Sequence, residues 1–177
     1  MSWITTNSSK HFDFINPTAD MVSIDDIACA LSNICRFTGH LDNFYSVAQH
    51  SVIASEIVPA KFALEALLHD ASEAYCNDIS APLKALLPDY RNIEDRVDQV
   101  IREKYSLPHP AMSPAVKYAD LVMLATERRD FYLDDGTPWP MLEGIEPLQF
   151  IIIPLNPMQA RVRFIQRFKQ LQEGAPA

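Results

Sequence analysis

The stretch Leu67-Leu68-His69-Asp70-Ala71-Ser72-Glu73-Ala74-Tyr75 decides how the rest of the chain is interpreted. An apolar run leads directly into adjacent histidine and aspartate side chains, and Glu73 follows one helical turn later on a similar face. We therefore predict a helix to about Tyr75 that buries an apolar stripe and presents His69 and Asp70 at one end. Both side chains are good ligands for a divalent metal. A capped or salt-bridged helix end is the alternative for this dipeptide taken alone.

Two further polar residues extend the dipeptide to a candidate metal site. His50 and Asp120 each lie within an apolar helical pattern, where an imidazole or a charge is costly to bury without a partner. A hydrogen-bonded core residue is the alternative for His50. Two imidazoles and two carboxylates suit a divalent ion such as Zn, Co, Mn or Ni, with one or two positions left for water. The sequence thus predicts His50, His69, Asp70 and Asp120 as metal ligands.

The order of these residues resembles the HD-domain metal-dependent phosphohydrolases. The string His69-Asp70-Ala71-Ser72-Glu73, with Asp78, Pro82 and Lys84 after it, is similar to the 5′-deoxynucleotidase branch of that superfamily. Three upstream segments resemble compact phage and bacterial members, which include phage dATP triphosphohydrolases of the DatZ-like family: Phe12-Asp13…Asn16-Pro17, Asp26-Ile27-Ala28…Cys35-Arg36-Phe37…Gly39-His40 and Tyr45-Ser46-Val47-Ala48-Gln49-His50. The resemblance spans roughly residues 12–130 and implies an all-α fold, a compact HD-domain helical bundle.

The same resemblance implies catalytic roles for Glu73, Asp78 and Arg36. One of the two acids would orient or deprotonate a metal-bound water, and either would be able to hold another ion. Arg36 would stabilise charge on the phosphoryl oxygens. Its alternative is a favourable interaction with the C-terminus of the helix in whose last turn it is predicted to lie.

Substrate contacts are expected from Arg36, Phe37, Lys84, Asp78 and Ile24. Lys84 would hold phosphate, and a solvated lysine is its alternative. Phe37 would pack on the sugar, and a core position is its alternative. Base contacts are expected from the N-terminal segment, which carries Ile24 and also Trp3, Asn16 and Met21.

The resemblance implies a metal-dependent deoxynucleotide phosphohydrolase. The leading expectation is a dATP triphosphohydrolase, which converts dATP and water to deoxyadenosine and triphosphate and so shapes the dNTP pool during phage replication. The alternatives are a 5′-deoxynucleotidase, which converts a dNMP to deoxynucleoside and phosphate, and a catalytically silent nucleotide-binding regulatory protein. Further ions on the phosphates and a homo-oligomer, either a dimer or a hexamer, are also expected.

The composition limits the class of protein. A chain of 177 residues with 48% hydrophobic residues is expected to form one globular domain over 1–177, with an irregular N-terminal segment (1–22) packed on it. The net charge of −8 argues against a broad surface for duplex nucleic acid. Three cysteines without metal-site spacing suggest reduced thiols in the cytoplasm, the host cell cytoplasm if the protein is phage-encoded. The apolar runs are too short for a membrane span.

Periodicity and capping residues place the remaining elements. Further helices are predicted over about 23–37, 44–58, 90–105, 114–132 and 157–172, with an active-site loop over about 76–88 and thin evidence for a strand within about 148–153. Ser23, Asn43 and Ser113 are the expected caps of three of these helices. The segment Phe150–Pro154 is predicted to be buried. His109 is predicted to lie in a loop, which makes it a poor candidate ligand.

Overall fold

The fold is known from a computed structural model that describes residues 1–108 and 112–173. His109 lies outside the described residues. The described chain is mostly helical, at 56% helix, and also contains a small two-stranded sheet. Its α-helices are α1 (Ile24–Asn33), α2 (Val47–Ile57), α3 (Ala63–Leu67), α4 (Glu73–Cys76), α5 (Ala81–Lys84), α6 (Pro88–Lys104), α7 (Pro114–Asp130) and α8 (Pro157–Glu173). The expectation of a helical bundle therefore holds in this coarse form.

Helix α2 lies at the centre of the molecule. It contacts α1, α3, α7 and α8, and nine of its residues are buried in succession from Val47 to Ser55. A helix that is buried all round needs other helices on every side. The main core cluster joins α1, α2, α6 and α8 to the segment around α3 and α4. None of the described helices is both long enough and apolar enough to cross a membrane.

The N-terminal segment contains a short hairpin, which corrects the expectation that residues 1–22 are irregular throughout. Strand β1 (Trp3–Thr5) pairs antiparallel with β2 (His11–Asp13). Phe12 is fully buried, and its ring stacks on Tyr75 with centroids 4.0 Å apart. The segment therefore contacts the helices through Phe12, and its hairpin modifies the all-α prediction. Strands of three residues are too short to leave a clear alternating pattern in the sequence.

The first two helices begin or end at positions that differ from the prediction. Helix α1 ends at Asn33, because Ile34 is extended and the chain then runs beside Tyr45–Val47. The N–H of Arg36 donates to the Tyr45 carbonyl at 2.9 Å, so Arg36 does not lie in a last helical turn. Helix α2 is capped by Ser46, whose hydroxyl accepts from the Gln49 N–H at 3.2 Å. The prediction of Asn43 as the cap was wrong.

The His69-Asp70 pair does not lie on a continuous helix, which corrects a second expectation. Helix α3 ends at Leu67, and α4 begins at Glu73. The residues between them form turns in which the Glu73 N–H donates to the Asp70 carbonyl. The pair thus occupies a tight connection between two short helices.

The C-terminal part of the chain is predicted well in its helices but not between them. Helices α6, α7 and α8 lie close to their expected ranges, and Ser113 is the residue before α7 as predicted. Helix α5 lies inside the expected active-site loop. Residues 148–153 form no strand, and in this segment Ile152 is buried whereas Ile151 and Ile153 are 71% and 77% exposed. The prediction that this segment is buried was therefore wrong.

Candidate metal centre

Four side chains from three parts of the fold converge on one point. His50 comes from α2, His69 and Asp70 from the turn after α3, and Asp120 from α7. The two Nε2 atoms of the histidines lie 3.3 Å apart. Each Nε2 also lies 3.2–3.8 Å from Asp70 Oδ2 and from Asp120 Oδ1. Neighbouring ligands about 2.0–2.2 Å from one ion are separated by roughly 2.9–3.5 Å. Three of the five spacings fall in this range, and the His50–Asp70 and His69–Asp120 spacings of 3.7 and 3.8 Å lie slightly above it, so small movements would bring all four side chains onto a shared divalent ion.

The outer nitrogens of both imidazoles are fixed by acceptors. His50 Nδ1 donates to Glu127 Oε1 at 2.6 Å, and His69 Nδ1 donates to the Ala66 carbonyl at 2.7 Å. A carbonyl can only accept, so the proton of a neutral His69 sits on Nδ1 and its Nε2 carries a lone pair. Such orienting bonds are typical of metal-bound histidines.

The chemistry of this donor set fits a cation. In the neutral tautomers that their outer bonds select, two imidazole lone pairs and two carboxylates meet in a largely buried place. Protonating both imidazoles would instead make two N–H donors face each other at 3.3 Å. A metal ion bound between the four side chains would accept the lone pairs, offset the carboxylate charges and avoid the opposition of two N–H donors. His50, His69 and Asp120 lie mutually within 4.8 Å, and Asp70 joins them through its contacts with both imidazoles.

The charges around the imidazoles show how strongly this place attracts positive charge. Burial lowers the pKa of His69, but Asp70 and Asp120 outweigh it and raise the pKa to about 9. For Asp120, burial raises the pKa, and the bonds with His50 and His69 hold it well below the usual range. Binding of a metal would therefore displace protons.

Glu73 and Asp78 lie beside this centre as two further acids. Both line the cavity that also contains Asp70 and Asp120. Burial raises the pKa of Glu73 well above its usual range, and the charges of Asp70 and Asp78 raise it further. Glu73 Oε2 is buried and has no hydrogen-bond partner among the described residues. An acceptor that is buried and unsatisfied in this way is available to a water or a substrate.

Arg36 is held by acidic side chains and not by a helix terminus. Its Nε and Nη2 donate to Glu127 Oε2 at 3.2 and 2.9 Å, and its Nη1 lies 3.7 Å from Asp70. Burial lowers the pKa of Arg36, but Glu127 and Asp70 outweigh it, so the guanidinium stays charged. Glu127 therefore connects this cation with the imidazole of His50.

A cavity of about 610 Å³ opens over the candidate metal centre. Among the expected substrate contacts, Arg36, Phe37, Asp78 and Lys84 line it. Lys84 is also paired with Glu94 at 2.7 Å. Ile24 does not line this cavity and packs instead against the main core cluster. Trp3, Asn16 and Met21 are also absent from its wall. The N-terminal segment thus contributes no wall residue to it within the described chain.

The turn after Arg36 has an unusual backbone. Phe37 (φ 55°, ψ 33°) and Thr38 (φ 55°, ψ 27°) are consecutive non-glycine residues in the left-handed region, and Gly39 follows at φ 79°. Such positions cost about 1–3 kcal/mol each and persist only where the surroundings hold them. Both residues line the cavity, so the strained turn contributes directly to its wall.

Comparison with known proteins identifies relatives along nearly the whole chain. The uncharacterized protein YfdR of Escherichia coli strain K12 is 60% identical over 174 residues, which cover 98% of this chain and 97% of YfdR. The chain belongs to the YfdR family. An uncharacterized protein of Rhodobacter capsulatus, RCAP_rcc00048, is 32% identical to this chain over 139 residues, which cover 71% of this chain and 71% of that protein. No protein-family model matches the sequence.

Sequence reasoning missed two residues of this YfdR-family site. Glu127 stands in the charged run Glu127-Arg128-Arg129-Asp130, yet it is fully buried against Arg36 and His50. Trp139 lines the cavity from a proline-rich segment between α7 and α8. The only signal for Glu127 was its position two helical turns after Asp120, on a similar face of α7.

Proposed function

We propose that the protein is a metal-dependent phosphohydrolase of the HD-domain type that acts on 5′-deoxynucleotides. The observation that carries the proposal is the convergence of His50, His69, Asp70 and Asp120 beside the unsatisfied carboxylate of Glu73. The order of these residues along the chain supports the HD assignment. A silent nucleotide-binding protein would not need an acid placed in this way.

Each residue of the site has its own role in the proposed hydrolysis. A divalent ion held by the four ligands would lower the pKa of a water toward neutrality and polarise a phosphoryl oxygen. In the proposed hydrolysis a water oxygen would form the new bond to phosphorus, and the bond from phosphorus to the 5′ oxygen would break. Glu73 accepts a proton from the water, and the departing 5′ oxygen takes one up. Arg36 stabilises negative charge on the phosphoryl oxygens.

Two substrates are consistent with this chemistry. The first is dATP, cleaved to deoxyadenosine and triphosphate, which rests on the resemblance of the N-terminal motifs to the phage enzymes. The second is a deoxynucleoside monophosphate, and the charges favour it. Within the described residues, the cavity wall holds two cations (Arg36 and Lys84) against four acids. A triphosphate would therefore need further divalent ions on its phosphates, whereas one phosphate needs fewer.

Product analysis tests the proposal. The metal-loaded protein is offered each dNTP, NTP and dNMP separately with Co, Mn or Zn, and products are separated by chromatography. Deoxyadenosine with intact triphosphate supports the triphosphohydrolase, and deoxynucleoside with orthophosphate from dNMPs supports the nucleotidase. Absence of turnover with every substrate contradicts the proposal. The homo-oligomer stays a prediction that light scattering tests.

A further inference from the structure

The wall of the cavity has an apolar part that the proposed chemistry does not use. Its largest side chains are those of Phe37, Ile79, Leu124, Trp139 and Met141. Ligand cavities commonly combine such apolar walls with a few polar groups that fix orientation. In a deoxynucleotide the phosphate belongs with the metal ligands, and the base is the part that needs an apolar surface.

Trp139 has the largest flat surface in this wall, and its backbone is restricted. It stands between Pro138 and Pro140, and it is extended (φ −102°, ψ 99°), as expected of a residue that precedes proline. A 3₁₀ turn, Pro140–Leu142, follows directly. A surface that is already ordered loses little conformational entropy when a ligand binds.

Arg128 fixes the segment that carries Trp139. Its Nη2 donates to Asp134 Oδ1 and to the Thr137 carbonyl, both at 2.6 Å. Its guanidinium carbon lies 4.7 Å from the centre of the Trp139 ring, in a cation–π contact. One region of the indole is thus covered by Arg128, and Trp139 also lines the cavity. Arg128 is therefore a positioning residue for this side chain.

We propose that Trp139 is the surface on which the nucleobase of the substrate stacks. The inference rests on the proposed function, which it deepens by assigning the base to the Pro138–Met141 segment and not to the N-terminal one. Stacking of a base on an aromatic side chain is tolerant of base identity. Trp139 would thus supply affinity for nucleotides as a class, at a distance from the bond that breaks.

The kinetic test compares a nucleotide with a base-free substrate that has the same leaving oxygen. The substrates are dAMP and 2-deoxyribose 5-phosphate, or dATP and 2-deoxyribose 5-triphosphate if the triphosphate is cleaved. Trp139→Ala should lower kcat/KM for the nucleotide about 5- to 150-fold, mainly through KM, and leave the base-free substrate unchanged. Trp139→Phe should restore most of the loss. Trp3→Phe, which alters the tryptophan outside the cavity, should change neither substrate.

Equal losses with both substrates, or no loss with either, would overturn the inference. A second measurement keeps it separate from the proposed function. Because the chain has two tryptophans, Trp3→Phe leaves Trp139 as the sole indole fluorophore. Millimolar deoxyadenosine should quench its fluorescence, and 2-deoxyribose should not. If no phosphate ester is hydrolysed, the proposed function fails, and the presence or absence of this quenching still decides the role of Trp139.

Discussion

Replacing Glu127 with glutamine tests whether the connection between His50 and Arg36 supports metal binding. The substitution keeps the shape of the side chain and removes its charge. At His50 it exchanges a charge-assisted bond, now 2.6 Å long, for a neutral one. Charge-assisted bonds contribute about 1.5–3 kcal/mol and neutral ones about 1 kcal/mol, so the exchange costs roughly 1–2 kcal/mol. Metal affinity should therefore fall about 5- to 30-fold.

The same substitution should also destabilise the fold. Arg36, with a side chain that is 12% exposed, would lose its principal carboxylate partner. The single amide oxygen that serves His50 leaves the amide NH2 facing the Arg36 donors, so the loss should reach about 3–5 kcal/mol, the cost of removing one partner of a buried pair. The metal affinity is measured by calorimetric titration with Co²⁺ or Mn²⁺, and the stability of the metal-free protein by urea denaturation.

A matched control separates the two effects. Glu65 is also buried beside an arginine, with Arg102 Nη1 3.6 Å away, but it contacts neither imidazole. Glu65→Gln should lower stability and leave metal affinity unchanged. Wild-type affinity in Glu127→Gln, or an equal loss in Glu65→Gln, would refute the role assigned to Glu127.

Four further outcomes test the candidate centre. His69→Ala or Asp70→Ala should abolish turnover and metal binding while circular dichroism stays helical; full activity would contradict the ligand assignment. Glu73→Gln should keep the metal and lower kcat about 10²- to 10⁴-fold, and metal loss would make Glu73 a ligand. Burial raises the pKa of Glu73, so the wild-type rate should fall on acidification while the pH is still above the ordinary pKa of glutamate. The Glu73→Gln variant should lack this fall in rate. Chelation should lower Tm, and added Co²⁺ should restore it; an unchanged Tm would count against a bound ion.

The sequence was informative where chemistry and periodicity coincide. The four candidate ligands were recognisable because polar groups in apolar helical patterns need partners, and the structure brings their atoms within bonding range of one point. Helices α6, α7 and α8 were predictable because apolar residues recur at helical spacing along each of them.

The remainder depended on contacts between distant parts of the chain. Helix α1 stops early because the chain at Arg36 pairs with Tyr45, and the sequence near the end of the helix does not predict that pairing. Glu127 lies 91 positions from Arg36, so the charged residues beside it in the sequence do not predict its burial. Trp139 belongs to a segment in which apolar residues show no periodic spacing. Such features follow from tertiary packing, which overrides local propensity.

The break between α3 and α4 has a consequence for how this family can be stabilised. In a continuous helix the Ala66 carbonyl would accept from the N–H of residue 70. Here it accepts from His69 Nδ1 and from no backbone N–H among the described residues, so the interruption leaves this carbonyl to the imidazole alone. Substitutions that favour uninterrupted helix over 63–76 should raise thermal tolerance and weaken metal binding together. Selection for heat resistance alone would therefore act against metal binding at this segment, a trade-off that depends on one carbonyl group.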